Sequence, residues 1–470
     1  MVVEAAKLKW LTVFTRVDDA AILQRATITA FGYPMNRLHP PAPVLEIADR
    51  LERAGFEAWC VGGAIRDALL GHDHLDWDLA TSATPTQVRE LFGESRIIPV
   101  GVQFGTLGVL DRERLMHEVT TFRRDVRTDG RHADVEFGVS LEDDLARRDF
   151  TINAMAYSPR LRQLRDPFGG QADIANRIVR AVGDPEARMR EDRLRALRAI
   201  RFAARFGFEI DAPTRAALAT SADFLGQLSP ERVKQELDKT MGQVRRPSAA
   251  FRLWQQTGAF RTLIPELDGI RDSSLTVPDY LALPRARGRP ARRILRFAGL
   301  LAGLSPDGAG RVLSRLRSSR AETQSVVLLV EGWHRFGTEI GDSLNLAVDP
   351  ADSLVRRWVA GVGRLQVASF MRLADGIWAA ARDAGQGAPA RRGIGKLYRR
   401  MLHIAFAGAI DLGSLVIDGD DLRRTGIPPG PGLGKILQHL LAAVIEDPTR
   451  NAADWLLQEA RRLHEVSGNQ

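Results

Sequence analysis

Two carboxylates one residue apart, Asp76 and Asp78, are the side chains of this 470-residue sequence whose type and spacing point most directly to chemistry. Alternate residues on a strand face the same way, so the two aspartates share a side and Trp77 takes the other. Paired hard oxygen donors suit a divalent cation, and cations on shared carboxylates neutralise the charge that develops in phosphoryl-type transfer. Acidic pairs at this spacing also occur on plain exposed strands. Here Leu75, Trp77 and Leu79 flank them, which favours a half-buried site over a solvated face. Upstream, Gly62 and Gly63 stand between a strand-like Ala58–Val61 and a helix-like Ala64–Leu70, where backbone amides can approach a phosphate. Downstream, Glu118 alternates with Thr120 and is the candidate third carboxylate.

A second pair lies more than a hundred residues on. Asp192 and Arg195 are three positions apart in REDRLRALRAIRFAARFGF, a segment with helical periodicity, and are expected as neighbours on one helix face. Cytosine and adenine each present an amine beside a ring-nitrogen acceptor, whereas uracil and guanine present the reverse. A fixed acceptor beside a fixed donor therefore selects the first two bases. The plain alternative is a surface ion pair.

The elements that must position these residues read as a mixed region followed by helices. Val44, Ile47 and Leu51 predict a helix ending near Gly55, and Thr84-Pro85-Thr86 caps another running to Leu91. Asp76–Thr81 is strand-like, and Arg96–Val100, Thr106–Leu110 and His117–Phe122 predict an antiparallel meander of the same sheet. Arg123–Asp134 is polar, contains Gly130, lacks periodicity and is expected as a mobile loop. Leu141–Arg148 predicts a short helix. In the helix after Asp184, Leu194, Leu197, Ile200 and Phe206 are expected towards a core, with Glu191, Asp192, Arg195, Arg198 and Arg205 largely off that stripe. Ser229 followed by Pro230 starts a further helix, and the rest is helical between Pro- and Gly-rich breaks.

Composition bounds the partners. A net charge of +8 and a pI near 10.1 favour an anionic partner such as nucleic acid or nucleotide. Hydrophobic content of 44% against 26% charged residues, with no membrane-length apolar run, predicts a soluble chain with no membrane partner. The single cysteine, Cys60, excludes an internal disulfide and a cysteine zinc site, implies no disulfide-linked partner, fits a cytoplasmic location and is expected to be buried. Residues 1–35 show no secretion signal and receive no function.

The motifs together resemble the nucleotidyltransferase branch that contains class II CCA-adding enzymes and poly(A) polymerases. The resemblance runs from about Val61 to Asp238. Its phosphate-binding Gly-Gly-x-x-Arg-Asp is Gly62, Gly63, Arg66 and Asp67, and its metal pair is Asp76 and Asp78. RRDFTINA, Arg147 to Ala154, carries Arg148, Asp149 and Asn153; DPFGGQADI spans Asp166 to Ile174. EDxxRxxRAxRF is Glu191, Asp192, Arg195, Arg198, Arg201 and Phe202, and ERVKQEL spans Glu231 to Leu237.

That resemblance implies an α+β fold: a nucleotidyltransferase head of mixed or antiparallel sheet with helices, then all-helical neck, body and tail. It implies a head over residues 36–180, a base-recognising neck over 181–250 and a tRNA-binding body and tail over 251–470. It further implies template-independent addition of CCA to the 3′ end of tRNA from CTP and ATP, with Mg²⁺ as cofactor and pyrophosphate released. Glu118 would complete the metal site or assist deprotonation. A poly(A) polymerase or A-adding enzyme, and an inactive RNA-binding scaffold, are the alternatives. PVGVQFGTLGV at Pro99–Val109 stands where poly(A) polymerases carry a basic stretch, and the 123–134 segment falls where the family carries the loop linked to switching from C to A. Arg285, Arg287, Arg289, Arg292 and Arg293, with Arg296 beside them, are the candidate RNA contacts; Arg391, Arg392, Lys396, Arg399 and Arg400 form a weaker group. Ile417 to Leu437 resembles the family's tail segment.

Overall fold

The computed structural model describes residues 37–72, 76–128, 133–281, 292–346 and 348–468. In chain order it opens with helix α1 (Ala42–Arg53), whose Val44, Ile47 and Leu51 are buried, and strand β1 (Ala58–Val61), buried throughout. There follow α2 (Gly63–Leu69), β2 (Asp78–Thr81) and α3 (Pro85–Phe92). The last is closed at its start by a reciprocal cap between Thr84 and Gln87. Then come β3 (Ile97–Gly101), β4 (Thr106–Leu110), β5 (Met116–Thr121), β6 (Arg123–Thr128), β7 (Ala133–Phe137), α4 (Leu141–Ala146), β8 (Ala156–Ser158) and β9 (Gln163–Arg165).

The chain forms two compact units. The first holds the residues up to Phe122 with Met155–Pro167. Its sheet has the order β3-β4-β5-β2-β1-β8-β9, antiparallel except where β2 lies beside β5. The antiparallel meander is as expected. The strand at the aspartates is shorter than its sequence pattern, beginning at Asp78, so Asp76 and Trp77 lie just before it.

The second unit holds Arg123–Ala154 and Phe168–Gln470. The expected loop over 123–134 is a hairpin instead: β6 and β7 pair antiparallel, with Arg124 opposite Glu136 in register and their side chains 2.7 Å apart. Cross-strand charge pairs and the backbone ladder hold such a ribbon without apolar alternation, which is why periodicity misses it. Residues 129–132 lie outside the described ones. Next come α5 (Gly170–Ala175), β10 (Ile178–Val179), α6 (Pro185–Glu191), α7 (Leu194–Phe206), β11 (Glu209–Ile210), α8 (Ala212–Ser221) and α9 (Pro230–Gln243). Among the described residues the remainder to Gly468 is built of helices and their connections, including a 26-residue helix Arg320–Asn345. Near the C-terminus Leu415, Ile417, Leu422, Ile427, Ile436 and Leu440 form one apolar core. No helix among the described residues is long and apolar enough to cross a membrane.

Arg296 leaves the basic surface to which its sequence neighbours point. It is 1% exposed, and its guanidinium donates to the carbonyls of Leu281, Met241, Val244 and Arg245 at 2.6–3.3 Å. Two helix ends, the close of α9 at Val244 and the helix end at Leu281, depend on it. Arg296→Leu strands these acceptors and is expected to lower stability by about 3 kcal/mol, read from the urea midpoint; an unchanged midpoint would mean that the carbonyls find other donors.

Candidate functional site

The first unit builds a turn and a carboxylate pair at one end of its sheet. Gly62 has φ 76° and ψ −135°, a conformation open to glycine, and it lets β1 break directly into α2. A side chain at Gly63 would start 3.2 Å from the Arg66 guanidinium. Arg66 and Asp67 are 4% and 2% exposed and joined by a fork, Nε to Oδ1 at 2.8 Å and Nη2 to Oδ1 at 2.7 Å. The Arg66 guanidinium of this pair therefore packs against the turn.

Val61, the last residue before the turn, pairs with Asp78. Asp76 is exposed, Trp77 buried and Asp78 half-buried, the alternation that the spacing predicts. The parallel pairing of Leu79 with Val119 sets Glu118 beside Asp78. Among the described residues no three His, Cys, Asp or Glu side chains gather as a metal-ligand group. As hard oxygen donors, Asp76 and Asp78 fit a small hard cation that takes one or two carboxylates and completes its shell with water and phosphate oxygens. Cys60 is fully buried, and burial, with the Asp78 charge second, pushes its thiol up, so it stays a neutral core residue.

The second unit carries the other predicted residues on α6, α7, α9 and the segment after α4. The expected single helix through Asp192 is broken there. Asp192 is extended (φ −148°, ψ 105°) between α6 and α7, and its Oδ1 accepts from the Leu194 amide at 3.0 Å. Its Oδ2 accepts from Arg232 of α9 at 2.7 Å. Asp192 and Arg195 are thus brought together across a helix start rather than along one helix. Arg195, 8% exposed, donates from Nη1 to Glu191 (2.6 Å) and to the Arg188 carbonyl (3.0 Å), and from Nη2 to the Arg147 carbonyl (3.1 Å).

Beside this lies a charged core. Asp149 accepts from Arg198 at 2.7 Å, from the Asn153 amide at 2.8 Å and from the Phe150 backbone at 2.9 Å. Burial presses its carboxyl upward, but Arg198, the Asn153 hydrogen bond and Arg195 together hold it below its ordinary value. Arg198 also faces Glu236 at 4.0 Å, which receives Arg201 at 2.6 Å, both ends of that pair being buried. Arg147 and Arg148 converge on the fully buried Asp144 at 2.7 and 3.0 Å. The arginines of α7 therefore do not line a solvated side; Arg195 and Arg201 are buried among carboxylates. Sequence reasoning missed Asp144, Arg232 and Glu236 as partners, although the ERVKQEL segment contains the last two.

Of the RNA-contact candidates, Arg285, Arg287 and Arg289 and the side chain of Arg292 lie outside the described residues. Arg293 is paired with Asp238 at 3.4 Å and with Glu322. In the weaker group Lys396 pairs with Asp349 and Arg400 with Asp352, while Arg391, Arg392 and Arg399 are exposed.

Residues 58–180 match the family described as the Poly A polymerase head domain, and 207–270 that described as a probable RNA and SrmB-binding site of polymerase A. A CCA-adding enzyme of Latilactobacillus sakei subsp. sakei (strain 23K) is 33% identical over 426 residues, 89% of this chain and 98% of the relative. One of Geobacillus sp. (strain WCH70) is 44% identical over 223 residues, 47% of this chain and 54% of the relative. The solved Bacillus stearothermophilus CCA-adding enzyme in complex with CTP is similar with a TM-score of 0.70 at 29% identity, covering 90% of this chain and 98% of that one. The Thermotoga maritima enzyme complexed with tRNA shares the fold at 22% identity and a TM-score of 0.62, covering 89% and 94%.

The depressed Asp149 carboxyl fixes the sign of a pH effect. Its folded value lies below its ordinary 3.8, so its contribution to stability is complete above that value and is lost as pH falls through the folded one. Asp149→Asn is expected to destabilise at neutral pH, with the gap to the parent closing as pH drops below about 3.8; parallel denaturation curves at pH 7 and pH 3 check it, and a gap that widens in acid would contradict it.

Proposed function

The chain belongs to the family of CCA-adding enzymes, and from that premise we propose how its residues carry out template-independent addition of C, C and A to the 3′ end of tRNA from CTP and ATP. Roles divide between the units. In the first, the Gly62–Gly63 turn, braced by Arg66 and Asp67, offers backbone amides to the triphosphate. Asp76 and Asp78 would hold Mg²⁺, which supplies charge neutralisation at the α-phosphate and the leaving pyrophosphate. Glu118, beside Asp78 in register, is placed to accept the proton of the attacking hydroxyl or to steady the cation's water. The observation that carries this half is the pairing of Val61 with Asp78, which fixes turn and carboxylate at the same end of the sheet.

In the second unit Asp192 and Arg195 read the base. A guanidinium has five N–H groups, and three of Arg195 are spent on Glu191, Arg188 and Arg147, which leaves two directed donors. Asp192 keeps lone pairs beyond those given to Leu194 and Arg232. A fixed acceptor beside a fixed donor takes the amine and ring nitrogen of cytosine or adenine and rejects uracil and guanine. Asp149, Asn153, Arg148, Arg198 and Glu191 hold the frame around that pair. We assign 36–180 as the catalytic head, 181–250 as the base-reading neck and 251–470 as the tRNA-binding body and tail, working in the cytoplasm.

The test is incubation with tRNAs ending before CCA, after C and after CC, with CTP and ATP singly and together. Stepwise completion to CCA is expected; addition only to the CC-ended substrate would mark an A-adding enzyme, and long A tails on unrelated RNA a poly(A) polymerase. Asp76→Ala is expected to abolish incorporation with an unchanged melting temperature, and substantial residual activity would remove it from the metal site. Asp192→Ala should erode discrimination against UTP and GTP by about 100-fold in kcat/KM.

A further inference from the structure

The register of the first unit's sheet orders one of its faces residue by residue. Val61 pairs with Asp78, Asp78 lies beside Glu118, Glu118 pairs with Gly108, and Gly108 pairs with Ile98. Directly paired residues project to the same face. One row therefore crosses the sheet from the glycine turn, over the carboxylates, to the edge strand β3.

Past the carboxylates the row becomes apolar and open. Ile98 is 38% exposed, Val100 45% and Met116 45%. Gly108 fixes the side on which they lie: a Cβ there would fall 2.6 Å from Met116 Sδ and 3.2 Å from Val100 Cγ2, so both side chains cover Gly108 on the face that carries Glu118. Val100 is the residue left unpaired by the irregularity between Pro99 and Gly101, a bulge that re-aims its side chain. Three large apolar side chains left exposed together mark an interaction surface rather than scattered surface residues.

Transfer chemistry decides what comes here. Attacking and leaving oxygens stand in line on opposite sides of the phosphorus. On the reading given above, pyrophosphate leaves at the Gly62–Gly63 turn, on the β1 side of Asp78. The attacking 3′-hydroxyl then approaches from the β5, β4 and β3 side. We infer that Ile98, Val100 and Met116 form the seat of the 3′-terminal nucleoside of the RNA acceptor, held by base and ribose rather than by phosphate. Phosphates close to Asp78 and Glu118 meet like charge, whereas an uncharged base face gains from burial on an apolar shoulder. Gly108 matters because any larger residue would push Met116 and Val100 off that surface.

The double variant Val100→Asn with Met116→Gln, in the full chain, tests this with CC-ended tRNA and ATP. The KM for tRNA should rise about tenfold while the KM for ATP stays within error. Independently of activity, tRNA carrying a 3′-terminal 4-thiouridine should crosslink to a peptide containing Val100 or Met116 in the parent chain. An unchanged tRNA KM, or crosslinks only elsewhere, overturns the proposal. So does a parent dimer that the double variant dissociates, which would make the shoulder a self-interface. Asp76→Ala run alongside separates the two readings: if it remains active the metal assignment fails, whatever the crosslink shows.

Discussion

The pinning of Arg195 is the constraint around which the centre of the second unit is built. An arginine on a helix surface samples many rotamers and holds its donors in no fixed direction. Here three of its N–H groups are fixed by a carboxylate and a backbone carbonyl of α6 and by the Arg147 carbonyl after α4. The same logic governs its partner. Asp192 is fixed by accepting the Leu194 amide with one oxygen and Arg232 with the other. Both side chains are thereby set by hydrogen-bonded geometry, and in the proposed role as a reading pair they would not have to be assembled on binding.

The first unit solves a different problem by register. The proposed triphosphate and cation sites need backbone amides and carboxylates at one level, and a strand pair sets the glycine turn and Asp78 so without long side chains. Val61 and Asp78 are opposite one another, the turn begins one residue later, and α2 starts at once because Gly62 accepts a positive φ. Exchanging a single step of register would move Asp78 to the opposite face, so the hydrophobic pattern that buries Trp77 and Leu79 is also what aims the carboxylates.

How much of this was legible in the sequence follows from the range of each interaction. The glycine turn, the aspartate pair, the caps at Thr84 and Ser229 and the meander are local patterns, and they appear where the residues place them. The break at Asp192 was not legible, because no glycine or proline marks it; a side chain that turns back onto the Leu194 amide makes it. The burial of the α7 arginines was hidden for another reason. Their partners Asp149 and Glu236 lie 49 and 35 residues away from Arg198 and Arg201, so a helical wheel counts them as surface. The hairpin of β6 and β7 is held by paired charges instead of alternating apolar residues, and Arg296 looks like its basic neighbours until the carbonyls around it are seen.

Those buried charges also bear on how α7 is held in the second unit. A buried ion pair is poor evidence of added stability, since desolvation offsets most of the attraction, and apolar replacements of the same volume often fold as well. A chain of Asp149, Arg198, Glu236 and Arg201 is therefore better understood through geometry than through energy. An apolar core tolerates small rotations of a helix at little cost, whereas a guanidinium held between two carboxylates loses hydrogen bonds as soon as α7 turns. Because Arg195 rides on the same helix, three residues before Arg198, the ion pairs also fix the azimuth of its guanidinium. In the proposed base-reading role, that guanidinium takes its direction from the charges buried beside it.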